Sequence, residues 1–157
     1  ADSFAARAEH GVDPPTTGPA PSSWFDACNP SGMGFTTARA IASVGALLAN
    51  SGTWHGERFL SEEAASLAWQ EQRYEEDLVM GAPVRMGMGF GLASKEVPLP
   101  FPRSVHWGGY GGSVFVADPD SQTSWCYIPN RFVPDRAGGE RGNAIGGAAV
   151  ASILGLD

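Results

Sequence analysis

The chain has 157 residues, of which 43% are apolar, which is enough for one ordinary domain with a buried core. Its net charge is −7, and its single lysine and scattered arginines form no basic stripe, so nucleic acid and anionic membranes are poor partner predictions. No run of eighteen apolar residues occurs and the first residues show no signal-peptide pattern, which favours neither a cytoplasmic nor a secreted location.

The first part of the chain is predicted to be irregular and the remainder to form the domain. Residues 1–34 are rich in proline and glycine and have no apolar period, which predicts an extended arm along a surface. Residues 35–157 are predicted to be the domain itself. Its first helix is expected over residues 38–50, because apolar residues recur there on one stripe after a capping threonine, Thr36 or Thr37.

The pattern then changes from helix to strand. A second helix is expected over residues 62–72, with Ser61 as its N-cap. Short apolar segments separated by Gly, Pro and Asp follow, and they predict an antiparallel sheet of three or four strands. These strands are expected at residues 84–92, 105–107, 113–117 and 123–128. A small-residue helix over residues 143–154 is expected to pack on the sheet, which makes the fold class α/β of the α+β type.

The cysteines and histidines predict neither a metal site nor a cofactor. Cys28 and Cys126 are far apart in the sequence, and they form either one disulfide or two buried thiols. His10, His55 and His106 show no ligand-type spacing with each other or with the cysteines.

Two glycine-dense segments are candidates for function. The segment Trp107–Ser113 has four glycines in five positions, so a substrate could approach its main chain and meet N–H groups free to bind a developing negative charge. The alternative is a glycine-rich hairpin or bulge without chemistry. In the segment Met86–Gly91 the glycines alternate, which favours a strand with one bare face over a phosphate loop, since no capped helix follows.

Several short motifs, taken in order, resemble one enzyme family. They are the helix over residues 38–50 with Asn50-Ser51-Gly52-Thr53-Trp54-His55-Gly56-Glu57-Arg58-Phe59-Leu60-Ser61 after it, Met88-Gly89-Phe90-Gly91, Trp107-Gly108-Gly109-Tyr110-Gly111-Gly112-Ser113, and Ala117-Asp118-Pro119. From about residue 29 to residue 157, the chain resembles the C-terminal portion of the serine β-lactamase-like hydrolases. Within them it is most similar to the class C-related carboxylesterases, which implies a β-lactamase/transpeptidase-like fold.

The resemblance implies where a cleft would lie. Trp107-Gly108-Gly109 matches the third motif of the family in the Trp-Gly-Gly form of its esterase members, which favours esters over β-lactams. It implies that the backbone N–H of Tyr110 is one of two oxyanion donors and that Trp107 shapes the pocket. We expect His106, Trp107 and Asn143 to contact the substrate.

The chain departs from the family in the residues that start the reaction. Its only lysine is Lys95, three residues after Leu92, so the motif Ser-x-x-Lys is absent, and no tyrosine begins a Tyr-x-Asn motif. In the family both motifs belong to the portion upstream of residue 29. The sequence therefore predicts the C-terminal part of a larger serine hydrolase of small esters or amides. Its predicted partner is the N-terminal part that carries the nucleophile, in the same polypeptide or in a separate one.

Two other hypotheses remain open at this point. Ser113 and His106 are the only nearby serine and histidine that could form a self-contained nucleophile pair, although no acid is placed to orient the histidine. Alternatively, the chain is a non-catalytic binding or assembly module, since a half-sheet needs a partner for its strand edge and apolar face.

Overall fold

The computed structural model describes residues 34–109, 111–131 and 138–156. The arm predicted over residues 1–34 lies outside this part of the chain except for Gly34. The helices are α1 (Ala38–Ala49), α2 (Glu62–Ser66) with a 3-10 turn (Leu67–Trp69) after it, and α3 (Gly139–Leu154). The strands are β1 (Thr53–Trp54), β2 (Glu57–Arg58), β3 (Arg73–Asp77), β4 (Ala82–Met86), β5 (Gly91–Leu92), β6 (Val105–Gly108), β7 (Val114–Asp118) and β8 (Thr123–Tyr127).

The main sheet has six strands in the order β3-β4-β5-β6-β7-β8, and all neighbours are antiparallel. Strands β1 and β2 form a separate two-stranded hairpin. The antiparallel sheet with helices confirms the predicted fold class, but the expected strand number of three or four is wrong for the described sheet. Strand β3 was not predicted because it is an exposed, charged edge without apolar alternation.

The expected strand over residues 84–92 is also wrong, because a loop separates β4 from β5. Gly89 has φ of +83°, a left-handed conformation that turns the chain. The N–H of Met88 donates to the carbonyl of Leu67 at 3.3 Å, which ties the loop to the 3-10 turn. The glycines of this segment therefore make a bend against a helical turn.

Helix α1 forms where the sequence predicts it. Thr37 is the N-cap, and its Oγ1 accepts a hydrogen bond from the N–H of Ala40 at 3.2 Å. The helix lies across β7 and β8, close enough for Ser124 Oγ to donate to the carbonyl of Ala42 at 2.5 Å. Gly45 permits this approach, because a Cβ there would lie 2.8 Å from Ser124 Cβ and 2.9 Å from Phe115 Cζ.

The core lies between α1 and one face of the sheet, which we call the α1 face. It consists of Leu48, Ala68, Leu92, Val105, Phe115 and Ala117, with Ile41, Trp69, Phe90 and Cys126 packed at its border. Helix α2 is shorter than the predicted helix over residues 62–72. After Ser66 the chain changes from an α-helix to the 3-10 turn, which places Ala68 in the core and Trp69 at its border.

Helix α3 lies over the opposite face of the sheet, which we call the α3 face. Two of its glycines make the contact: a Cβ at Gly146 would lie 2.6 Å from Trp125 Cη2, and one at Gly142 would lie 3.2 Å from Tyr127 Cδ1. The helix begins at Gly139, four residues before the predicted start at Asn143, because a glycine pair with left-handed φ values turns the chain there. Among the described helices, none has the length and hydropathy to cross a membrane.

Candidate active site

Trp107 stands near the end of β6 on the α1 face of the sheet. Side chains alternate along a strand, so Trp107 points to the same side as Val105, which is fully buried in the core. Trp107 itself is 53% exposed. A large aromatic side chain open to solvent beside a packed core is the surface that an apolar ligand needs.

Two further aromatic residues lie on the same face as Trp107 but belong to the core side: Phe115 is buried and Phe90 is half-buried. Phe115 is the direct cross-strand partner of Trp107, and its ring centroid lies 6.0 Å from that of Phe90. Met88, in the loop before Phe90, is also largely exposed. We call Met88, Phe90, Trp107 and Phe115 the apolar wall. Sequence reasoning missed Met88 and Phe90 as site residues, although Met88-Gly89-Phe90-Gly91 was one of the motifs that carried the resemblance.

The turn after β6 is built for close main-chain packing. The N–H of Gly109 donates to the carbonyl of Ser113 at 3.0 Å, and the N–H of Gly112 donates to the carbonyl of Gly109 at 3.2 Å. A Cβ at Gly109 would lie 2.5 Å from Ser113 Oγ, and Gly111 and Gly112 have φ of 111° and 97°. Tyr110, whose N–H is the predicted oxyanion donor, lies outside the described residues.

His106 lies on the other side of β6 from Trp107. Its cross-strand partners are Gly91 and Val116, and a Cβ at Gly91 would lie 2.6 Å from His106 Nε2. Burial lowers the pKa of this imidazole, and a hydrogen bond with the backbone of Leu92 opposes that change. The glycine opposite thus makes room for the ring, and burial favours the neutral form of that ring.

Asn143 lies on helix α3, which packs on the same side as His106. It borders a cavity together with Trp125 and Val116 of that face. The structure therefore brings Trp107, Gly108 and Gly109 together at one end of β6, and it does not bring His106 or Asn143 to them. Contact of these two residues with substrate stays a prediction.

Ser113 and His106 do not form a catalytic pair in this structure. Ser113 closes the turn opposite Gly109, whereas His106 is paired with Val116, three residues further along the strand, which corresponds to about 10 Å. The two side chains also point to opposite faces, because three residues separate their positions in the register. The self-contained pair is not supported by the described geometry.

The residues that could hold a metal are dispersed. Within residues 34–109, 111–131 and 138–156, no group of three or more His, Cys, Asp or Glu side chains is clustered for a metal ion. Cys126 is a free thiol whose pKa is raised by burial. Cys28, the other half of the disulfide alternative, lies outside the described residues.

Comparison with known families gives this geometry a context. A sequence model of the family described as Beta-lactamase matches residues 1–149 of the chain. The chain belongs to the beta-lactamase family. This confirms the resemblance to serine β-lactamase-like hydrolases that the short motifs indicated. The comparison with curated proteins found no match.

Three solved structures are similar to this chain in fold. One is a family VIII carboxylesterase that is 32% identical to this chain, with a TM-score of 0.65. The match covers 70% of this chain and 30% of the carboxylesterase chain. Another is a penicillin-binding protein homologue from Caulobacter crescentus that is 29% identical, with a TM-score of 0.68. This match covers 74% of our chain and 32% of the homologue. EstA from Arthrobacter nitroguajacolicus Rue61a is 21% identical with a TM-score of 0.61, which shows a likeness of fold alone. The match covers 76% of this chain and 32% of the EstA chain. The chain thus spans about a third of the length of these structures.

Proposed function

We propose that this chain forms one wall of the cleft of a serine carboxylesterase, with a Ser-x-x-Lys nucleophile on a polypeptide segment outside these 157 residues. The observation that carries the proposal is the exposed Trp107 on the α1 face, followed at once by the glycine turn. An apolar wall next to a glycine turn whose main chain a substrate can approach is an arrangement that suits acyl transfer. The alternative, a non-catalytic module, has no such use for the turn.

The proposed electrostatic role belongs to the main chain. The N–H of Tyr110 would donate to the oxyanion of the tetrahedral intermediate, and the preceding Gly109 has no side chain to obstruct the substrate. A donor of this kind lowers the barrier by about 3 kcal/mol. The charge develops only as the nucleophile attacks, so this hydrogen bond strengthens in the transition state and raises the rate of the chemical step.

The proposed substrate is a small ester with an apolar acyl or alcohol group. Trp107 and Met88 present exposed apolar surface, while Phe90 and Phe115 support it from the core side. None of these four side chains carries a formal charge that would favour an anionic substrate. The choice of ester over β-lactam rests on the Trp-Gly-Gly form and on the likeness to the family VIII carboxylesterase.

The absence of Ser-x-x-Lys from the sequence defines what the partner segment must supply. It must bring a serine whose hydroxyl is activated by a lysine, and it must place that serine against the apolar wall. We propose that the N-terminal part of the same hydrolase does this, reached through the exposed surface of the α1 face. Acylation and deacylation would then take place between two segments of one fold.

The experiment is to tag the chain at its C terminus in its source organism and to purify it without denaturation. Native mass spectrometry identifies what accompanies or continues the chain, and the same sample is assayed with p-nitrophenyl butyrate and with nitrocefin. A fluorophosphonate probe then locates the reactive serine by peptide mapping. The recombinant chain of 157 residues is the matched control.

The proposal expects ester turnover and a labelled serine within a Ser-x-x-Lys sequence in the tagged sample, and neither in the recombinant chain. Faster turnover of nitrocefin than of the ester would change the substrate class to β-lactams. A tagged sample with no Ser-x-x-Lys polypeptide and no turnover would overturn the proposal in favour of a binding module. Labelling of Ser113 in the recombinant chain would overturn the proposal that the nucleophile lies outside these 157 residues.

A further inference from the structure

Strand β5 has only two residues, so its ladder of backbone hydrogen bonds is short. Gly91 pairs with Met86 of β4 on one side and with His106 of β6 on the other. Leu92 pairs with Val105 of β6. A side-chain contact that fixes β5 against β6 therefore has a larger effect here than it would have on a longer strand.

The side chain of His106 makes such a contact from the α3 face. A Cβ at Gly91 would lie 2.6 Å from His106 Nε2, 2.8 Å from its Cε1 and 3.2 Å from its Cδ2. The ring therefore occupies the space in which any other residue at position 91 would place its side chain. The ring also makes a hydrogen bond with the backbone of Leu92. One imidazole thus contacts both residues of β5.

The position of β5 decides where part of the apolar wall lies. Gly91 is opposite His106. The register, continued by one residue, places Phe90 opposite Trp107, and both side chains lie on the α1 face. The N–H of Gly87 donates to the carbonyl of Phe90 at 2.8 Å, which closes the loop before β5 on itself. A shift of β5 against β6 would therefore move Phe90, and this loop with it, relative to Trp107.

We infer that His106 is a positioning residue of the proposed cleft. Its ring holds β5 against β6 from the α3 face, and it thereby sets the spacing of Phe90 and Trp107 on the α1 face. In this role the ring acts through β5 and not through contact with the substrate, which accounts for a half-buried polar side chain behind the apolar wall. The inference rests on the proposed function, because the wall that His106 positions is a wall of that cleft.

The test uses the protein tagged in its source organism and steady-state turnover of p-nitrophenyl butyrate. His106→Ala removes the ring, whereas Gly91→Ala keeps the ring and places a methyl group in the space that it occupies. Gly91 has no left-handed φ, so alanine there introduces no backbone strain. Each variant is expected to raise KM at least about fivefold and to change kcat less than about twofold, because binding at the wall is impaired while the nucleophile is unaltered. A fall in kcat at unchanged KM, or no effect of either substitution, would overturn the inference.

A double variant and a matched control test whether the contact itself matters. When the ring is absent, the methyl group of Gly91→Ala meets no clash, so the double variant is expected to have a KM at least about threefold below the product of the two single effects. Effects on KM that multiply would overturn the inference. The control is Val116→Ala, since Val116 is the other cross-strand neighbour of His106 but lies on β7, away from β5. It is expected to leave KM unchanged, and a rise equal to that of His106→Ala would show a general loss of packing and overturn the inference.

A second measurement does not use turnover, so it separates this inference from the proposed function. Hydrogen exchange followed by mass spectrometry reports how often the amides of residues 86–92 open in the same protein. His106→Ala is expected to speed exchange there at least about tenfold and to leave residues 123–127 of β8 unchanged, because β5 loses its contact. Circular dichroism checks folding, and Gly91→Ala decides the matter if His106→Ala is unfolded. Faster exchange in a protein without ester turnover would refute the proposed function but support the contact, whereas unchanged exchange would overturn the inference itself.

Discussion

Replacement of Gly45 by alanine tests whether the close approach of α1 to the sheet organises the fold. Ordinary contact between carbon atoms begins near 3.5 Å, but the new methyl group would lie 2.8 Å from Ser124 Cβ and 2.9 Å from Phe115 Cζ. Ser124 Cβ is attached directly to the backbone of β8 and does not move by rotamer change. The helix itself must therefore shift away from β7 and β8 by more than half an ångström.

The two contributions to stability have opposite signs. Overpacking of a core contact costs about 1–3 kcal/mol, whereas alanine in place of glycine inside a helix gains about 1 kcal/mol. At Gly147 a methyl group meets nothing within 4 Å, so Gly147→Ala gains the helical contribution alone and is the matched control. We expect the unfolding free energy to be about 1–3 kcal/mol lower for Gly45→Ala than for Gly147→Ala.

Urea denaturation followed by far-ultraviolet circular dichroism measures both variants against the unaltered chain. If both substitutions raised the unfolding free energy equally, α1 would not pack on β7 and β8 as closely as described. That result would refute the reasoning from close packing. The ester-cleft proposal has no part in this outcome, because the readout is stability alone.

Three further predictions concern the site and its surroundings. Trp107→Ala is expected to lower kcat/KM for p-nitrophenyl butyrate by about tenfold in the complete hydrolase, with little loss of stability, because an exposed hot-spot aromatic is removed. The control is Leu78→Ala, which truncates an almost fully exposed apolar residue at the other end of the sheet, and equal losses would contradict the apolar wall. Burial lowers the pKa of His106, so the unfolded chain binds more protons in the range below the unperturbed pKa of about 6.5, and the unfolding free energy falls as pH drops through that range. Urea titrations at several pH values should show that the unfolding free energy of His106→Gln depends less on pH. An unchanged dependence would be evidence against the lowered pKa of His106. Burial raises the pKa of Cys126, so iodoacetamide at pH 8 should alkylate this thiol more slowly in the folded chain than in the chain unfolded by urea. Peptide mass mapping measures the two rates, and equal rates would contradict the prediction.

The sequence predicted the elements whose local signals agree with their packing. Helix α1 has an apolar stripe and a threonine N-cap, so its bounds were found to within one residue at its end. Strand β7 follows the glycine turn and is fully buried, and β8 follows Asp118-Pro119; these two strands and β6 were found nearly as well. The exposed strand β3 carries neither signal, because an edge strand is specified by its neighbour more than by its own residues.

The site was predicted in part for a related reason. Motif order placed Trp107 and the glycine turn, which the structure does bring together at one end of β6. His106 is adjacent to Trp107 in sequence, and adjacency suggested one shared site, yet neighbours in a strand point to opposite faces. Asn143 was placed by analogy across a loop, and the helix that carries it packs on the other side of the sheet.

The two edges of the six-stranded sheet have different compositions. Strand β3, at one edge, is Arg73-Tyr74-Glu75-Glu76-Asp77, with three acidic residues, whereas β8, at the other edge, is Thr123-Ser124-Trp125-Cys126-Tyr127, with none. An uncharged edge strand is open to pairing with a further strand, whereas three carboxylates along an edge disfavour it, so β8 is the better suited of the two described edges to receive one.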